Sequence, residues 1–89
     1  MERVVTVVPE DGLHARPATK FVETANEFVA TVQLGRAESD DLVSAASMLA
    51  VTGLGVSSGE DIRLVADGSD AEAALDALEA VLSTPEGHD

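Results

Sequence analysis

One segment of this chain combines side chains that could do chemistry together: Gly12-Leu13-His14-Ala15-Arg16-Pro17-Ala18. It sets an imidazole in the loop that feeds the first long helix. There the first-turn N–H groups have no intrahelical acceptor and the helix end carries a partial positive charge. Such a place suits an anion. Arg16, two residues on, adds a fixed cation whose forked donors match a phosphate. The chemistry favoured is nucleophilic. A neutral imidazole accepts a phosphoryl group on a ring nitrogen, while the backbone N–H groups of Ala15 and Arg16 and the Arg16 guanidinium hold its oxygens. The plainer reading is that His14 caps a turn and Arg16 is a solvated charge, since short motifs match by chance. The helix start and the adjacent Pro17 favour the chemical reading, and these residues alone leave both open.

The elements that must position this segment follow from periodicity. Val4 to Val8 is β-branched throughout and stops at Pro9, which reads as a strand. Glu10-Asp11-Gly12 is a turn. From Pro17 the apolar positions Ala18, Phe21, Val22, Ala25, Phe28 and Val29 recur at helical spacing, with Pro17 in the first turn where its missing N–H costs nothing. Ala30 to Leu34 alternates and ends at Gly35, a second strand; a third, weaker one is expected around Asp41 to Ser44. Ser47 precedes the short helical stretch Met48-Leu49-Ala50-Val51 and is placed to cap it. Asp61 to Ala66 alternates again. Ser69-Asp70-Ala71-Glu72 has capping-box spacing, with Ser69 as the expected cap of a helix carrying Ala71, Ala74, Leu75, Leu78, Val81 and Leu82 on one stripe. The order is strand, helix, strand, strand, short helix, strand, helix. One sheet with a single face covered by helices buries every stripe, so a two-layer α+β domain over 1–89 is expected, with 84–89 as a fraying tail.

Composition narrows the partners. The 89 residues hold 17 Asp plus Glu against five Lys plus Arg, a formal charge of −12. A protein that binds nucleic acid needs a basic face to replace counterions, so none is expected here, and docking on anionic lipid is equally disfavoured. Hydrophobic residues make up 45% of the chain, too many for the signature of disorder, yet fourteen of them are Ala and the only aromatics are Phe21 and Phe28. The core must rest on Val, Leu and Ala. With no Cys and only two His, one of them (His88) near the end of the chain, neither a metal nor a cofactor is expected. No apolar run is long enough to span a membrane and no signal peptide is visible, so a cytoplasmic location is expected. The acids are dispersed rather than gathered in a tail. This favours adaptation to concentrated salt over one acidic docking surface for basic partners.

The seven-residue segment resembles the active-site signature of HPr, the histidine-containing phosphocarrier of the phosphoenolpyruvate-dependent sugar phosphotransferase system. A second stretch, Ser47-Met48-Leu49 followed by Gly53-Leu54-Gly55 and Ser58-Gly59, resembles the regulatory-serine helix of that family and the loop after it. The resemblance spans nearly the whole chain. It implies a four-stranded antiparallel sheet covered on one face by three helices, an open-faced β-sandwich. It also implies a carrier rather than an enzyme, acting as a monomer: enzyme I delivers a phosphoryl group to Nδ1 of His14, and an enzyme II A domain, of fructose type among the options, receives it. The same chemistry would serve a dihydroxyacetone kinase phosphotransfer subunit or a regulatory phosphorelay, and a non-phosphorylated binding module of the same fold is a third reading.

The resemblance further implies docking through Lys20, Met48, Leu49 and Thr52, although Met48 and Leu49 read equally well as core. Ser47 matches the serine that an HPr kinase phosphorylates in some members, a role compatible with capping, because a phosphate at a helix start is favoured. The chain departs from the family at its basic rim: Glu23, Asn26 and Ala50 stand where Lys is common. Arg16 and Lys20 are left as the cations near the site.

Overall fold

A computed structural model describes residues 1–85 of the chain. Seven elements follow in order: β1 (Glu2–Thr6), α1 (Ala15–Ala25), β2 (Thr31–Arg36), β3 (Val43–Ser44), α2 (Met48–Gly53), β4 (Asp61–Asp67) and α3 (Ala71–Ser83). The strands form one antiparallel sheet in the order β1-β4-β2-β3. Val5 lies opposite Ile62, and Leu34 opposite Leu64. Because side chains alternate across a strand, this register sends Val5, Val32, Leu34, Ile62, Leu64 and Ala66 to one face, and all are buried. Glu2, Val4, Thr6, Gln33 and Asp61 point the other way and are exposed.

The helices cover the inner face. α3 packs on β1, β2 and β4, α1 packs on α3 and α2, and α2 rests against β3. Phe21 from α1, Val51 from α2 and Leu75, Leu78 and Leu82 from α3 have no exposed surface. Removing a side chain of this size from water contributes roughly 1.5–3 kcal/mol, so these few large residues compensate for a core otherwise rich in Ala. No polar or charged residue is buried among the described residues. The open-faced, two-layer architecture expected from the order of elements is the one observed.

Several boundaries differ from the periodic reading, each for a non-local reason. β1 begins at Glu2 rather than Val4, since Glu2 already pairs with Val65; Val7 leaves the regular ladder but still exchanges backbone bonds with Glu60 (2.9 Å) and Gly59 (2.7 Å). Gly35 does not end β2. Its missing Cβ leaves room for the Asp41 carbonyl, and the strand runs on to Arg36. The stripe of α1 extends in sequence to Val29, but the helix stops at Ala25: Phe28 is only half-buried and Val29 is 83% exposed. The turn is held by the Asp70 carboxylate, which accepts the N–H groups of Val29 (2.9 Å) and Ala30 (2.8 Å).

Asp70, not Ser69, occupies the N-cap position of α3, and its side chain caps nothing in its own helix. The tight approach of Gly68 to Ala30, where a Cβ would collide with the Ala30 Cα, sets the chain so that Asp70 flanks the first turn. α2 continues through Gly53 instead of ending at Val51. Of the tail expected to fray, Thr84 and Pro85 are described and residues 86–89, with His88, lie outside the described residues.

Candidate functional site

The site is built from the chain on either side of His14. The Gly12 N–H donates to the Pro9 carbonyl at 2.9 Å, closing the turn that follows β1. Gly12 has φ +69°, in the left-handed region, and a Cβ there would overlap the Val56 carbonyl oxygen. Only glycine satisfies both demands. Leu13 is fully buried and its N–H donates to the Val56 carbonyl at 3.0 Å. The loop is therefore nailed to the core one residue before the imidazole.

His14 is the N-cap residue of α1, with extended backbone (φ −135°, ψ 166°), and its half-buried ring makes no capping hydrogen bond. The turn-capping role is thus not taken by the imidazole, which leaves the ring for chemistry. Ala15 follows with φ +53°. An L residue in that region costs about 1–2 kcal/mol, and such strain concentrates at functional sites. The first helical bond in this stretch runs from the Ala18 N–H to the His14 carbonyl at 3.4 Å. Among the described residues the N–H groups of Ala15 and Arg16 have no backbone acceptor, and Pro17 has none to satisfy. Two donors at a positive helix end thus stand beside the imidazole.

Charge pairing sharpens the picture. Arg3 bridges Asp76 (2.7 Å) and Glu79 (2.9 Å), Arg36 pairs with Glu60 (2.8 Å), and Arg63 reaches Glu2 (3.3 Å). The remaining two of the five basic side chains, Arg16 and Lys20, are exposed and have no ion-pair partner among the described residues. In a chain of charge −12, the basic side chains without an ion-pair partner among the described residues both lie on α1, Arg16 in its first turn and Lys20 midway along it. Arrays of three or more His, Asp or Glu able to hold a metal ion do not occur among the described residues. Nor is any helix there long and apolar enough to cross a membrane.

The second stretch singled out in the sequence lies next door, because α2 packs on α1. Ser47 caps α2: its hydroxyl accepts the Ala50 N–H at 3.2 Å. Met48 is 38% exposed and Leu49 86%, so neither belongs to the core; Val51 is the α2 residue buried there. The Thr52 hydroxyl donates to the Met48 carbonyl at 2.9 Å and is turned back on its own helix. Periodicity had no means of finding the contact of Gly12 and Leu13 with Val56, which joins two segments remote in sequence. The sole local signal was a glycine in a turn.

A half-buried imidazole at a helix start, beside donors without backbone acceptors and an arginine without an ion-pair partner among the described residues, and backed by an open-faced sheet, suits a phosphoryl-carrier module. Comparison with known proteins gives the particular family. The family model for the PTS HPr component phosphorylation site matches residues 1–84. The chain is 80% identical over 86 residues to the phosphocarrier protein HPr of Haloferax volcanii, covering 97% of each. It is 49% identical over 77 residues to that of Streptomyces coelicolor, covering 86% of this chain and 82% of the relative. The crystal structure of a phosphocarrier protein HPr from Bacillus anthracis superposes with a TM-score of 0.87 at 36% identity, covering 93% of this chain and 96% of that one.

The chain belongs to the HPr family, the phosphocarrier component of the phosphotransferase system, and its partners are enzymes of that system. The halophilic reading of its acidity fits the Haloferax relative.

Proposed function

We propose that His14 is the phosphoryl acceptor, that Arg16 and the N–H groups of Ala15 and Arg16 steady the phosphoryl oxygens, and that enzyme I is the donor. The observation that carries this reading is the coincidence at one helix start of an uncommitted imidazole, two backbone donors without backbone acceptors and Arg16, which has no ion-pair partner among the described residues. In the forward step the Nδ1 lone pair attacks phosphorus, the bond from phosphorus to the donor atom breaks, and its electron pair returns to the donor. Handing on reverses these roles: an acceptor nucleophile attacks, and the phosphorus–nitrogen bond to His14 breaks. The phosphoryl must be positioned without being trapped, and two N–H groups and one guanidinium at the surface suit that demand.

The acceptor is an enzyme II A domain or, with the same chemistry, a dihydroxyacetone kinase phosphotransfer subunit. The exposure of Met48 and Leu49 on the helix packed against α1 supports docking there, with Thr52 one turn along α2 and Lys20 exposed on α1 as the further contacts. Met suits a surface that must fit more than one partner. Ser47, a cap with a half-buried hydroxyl, is the residue on which an HPr kinase would act. A single-domain monomer working in the cytoplasm accords with this role.

The test is incubation with enzyme I and phosphoenolpyruvate, followed by intact mass after acid and alkaline treatment. One added phosphoryl is expected, stable in base, lost in acid and missing from His14→Ala. A modification that survives acid, or persists in that variant, overturns the assignment. Arg16→Ala should slow transfer while leaving the melting temperature in place; an unchanged rate removes Arg16 from the site.

A further inference from the structure

Behind the His14 loop lies a second ion pair with an unusual set of bonds. The Glu60 carboxylate accepts the Arg36 Nε–H on one oxygen at 2.8 Å and the Ser57 N–H on the other at 2.7 Å. Arg36 uses Nη2 to donate to the Gly55 carbonyl at 2.9 Å. These bonds bracket fully buried Val56 from both sides. The Ser57 N–H and the Val56 carbonyl belong to a single peptide group. Its N–H is held by a carboxylate, and its C=O accepts the Leu13 N–H at 3.0 Å. An anion at the N–H end polarises that amide and strengthens its carbonyl as an acceptor. Gly12 rests on the same peptide, close enough that a Cβ would meet the Val56 oxygen and the Ser57 Cα.

Gly55 and Gly59 have φ +66° and +91°, and a Cβ on either, or on Gly53, would meet no neighbouring atom. Glycines so placed carry a large conformational entropy that other contacts must offset. The far end of the loop is tied to the chain after β1 by Gly59 N–H to Val7 carbonyl and by the Ser58 hydroxyl to the Val8 carbonyl. The near end, on which Gly12 and Leu13 sit, is tied by Arg36 and Glu60. One of only five basic side chains is committed to this duty.

We propose that Arg36 and Glu60 are positioning residues for phosphoryl transfer, which fix the Val56–Ser57 peptide, through it the Leu13 amide, and so the place of His14 at the start of α1. This rests on the assignment of His14 as acceptor. Neither residue touches the phosphoryl group; they act through the backbone they hold. A displaced nucleophile loses rate without losing partner affinity, because the docking helices are untouched.

The experiment compares Glu60→Gln, Arg36→Gln, Arg36→Lys and, as a control, Arg3→Gln, which removes the ion pairs of Arg3 on β1 with Asp76 and Glu79 on α3. Two quantities are measured for each: steady-state transfer from phospho-enzyme I, and hydrogen exchange of the Leu13 amide by NMR. Glu60→Gln and Arg36→Gln should lower kcat about tenfold with KM changed less than about twofold, as expected for a misplaced nucleophile. Leu13 exchange should quicken in both. Arg36→Lys should recover part of each effect, and Arg3→Gln should show neither.

An unchanged Leu13 exchange rate in Glu60→Gln overturns the structural half of the proposal, and faster exchange with normal kcat overturns the functional half. Equal losses of kcat in Arg3→Gln would reduce the pair to general stability and overturn it also. Should Glu60→Gln fail to fold, Arg36→Lys carries the same two readouts. If the wild-type phosphoryl proves to reside elsewhere than His14, the assignment of the acceptor fails, while Leu13 exchange still reports separately on the loop.

Discussion

Asp70 accepts the Ala30 N–H at 2.8 Å on one carboxylate oxygen and the Val29 N–H at 2.9 Å on the other, so the residue that begins α3 governs the turn that ends α1. The bond from Val29, followed by that from Ala30, holds the Asp70 carboxyl below the ordinary carboxylate range despite the opposing cost of desolvation. One side chain thereby joins the start of α3 to the turn between α1 and β2, at the ends of the central strands β4 and β2.

A pH dependence follows with a definite sign. A carboxyl whose native pKa is lowered contributes stability that is complete above its unfolded value and is lost as pH falls through the native one. Glu60, held down chiefly by the Arg36 guanidinium and then by the Ser57 N–H, acts in the same direction. Melting temperature should therefore fall below about pH 5 in the wild type, where carboxylates begin to protonate. Asp70→Asn should melt lower at neutral pH and lose less over the acid range, so that the two curves converge. Parallel curves would remove Asp70 as the source.

Gly12→Ala tests the seat of the active loop. The new Cβ must overlap the Val56 carbonyl and adopt a left-handed backbone as well. The two costs together predict a loss of about 3 kcal/mol in urea unfolding. A loss under 1 kcal/mol would mean that the loop shifts freely, and that Gly12 does not set the place of His14.

Ala15→Gly addresses the strain beside the imidazole. Relief of φ +53° is worth about 1–2 kcal/mol, and the greater freedom of Gly in the unfolded chain takes back up to about 1 kcal/mol. A net gain of roughly 0.5 kcal/mol in stability is expected by the same two terms, with slower transfer because the Ala15 N–H is no longer held in one direction. A destabilised variant would show that Ala15 is not strained.

The net charge of −12 predicts a response to salt. At about 1 M the screening length shrinks to about 3 Å, which suppresses repulsion among the 17 dispersed acids more than it costs in attraction to the five bases. Melting temperature and transfer rate should both rise from low to molar potassium chloride. A melting temperature that falls with salt would mean that the surface ion pairs of Arg3, Arg36 and Arg63 matter more than the repulsion.

Much of the fold was legible because its causes are local. The alternation in Asp61 to Ala66 and the stripe Ala71, Ala74, Leu75, Leu78, Val81 and Leu82 each describe a face that one layer must bury, and each is buried apart from Val81, which is half-buried at the rim of the core. Ser47 was readable as a cap because a hydroxyl before a helix has one near partner, here the Ala50 N–H. Ser69 was misleading for the converse reason. Its spacing to Glu72 meets the rule for a capping box, but the packing of Gly68 on Ala30 moved the helix start to Asp70. Met48 and Leu49 could not be placed in core or surface from type alone; the packing of α2 through Val51 decided it.

By itself the sequence determined the order of elements and the one-sided sheet, and it singled out Gly12 to Ala18 as the candidate for chemistry, since periodicity and turn chemistry act over a few residues. Only the tertiary structure decided the surroundings of that segment. It seated Gly12 and Leu13 on Val56, and it neutralised Arg3, Arg36 and Arg63 against distant acids. Arg16 and Lys20, both on α1, were thereby left without an ion-pair partner among the described residues. Such pairings depend on which strands and helices become neighbours, and that is settled by burial of the whole core rather than by the spacing of any one motif.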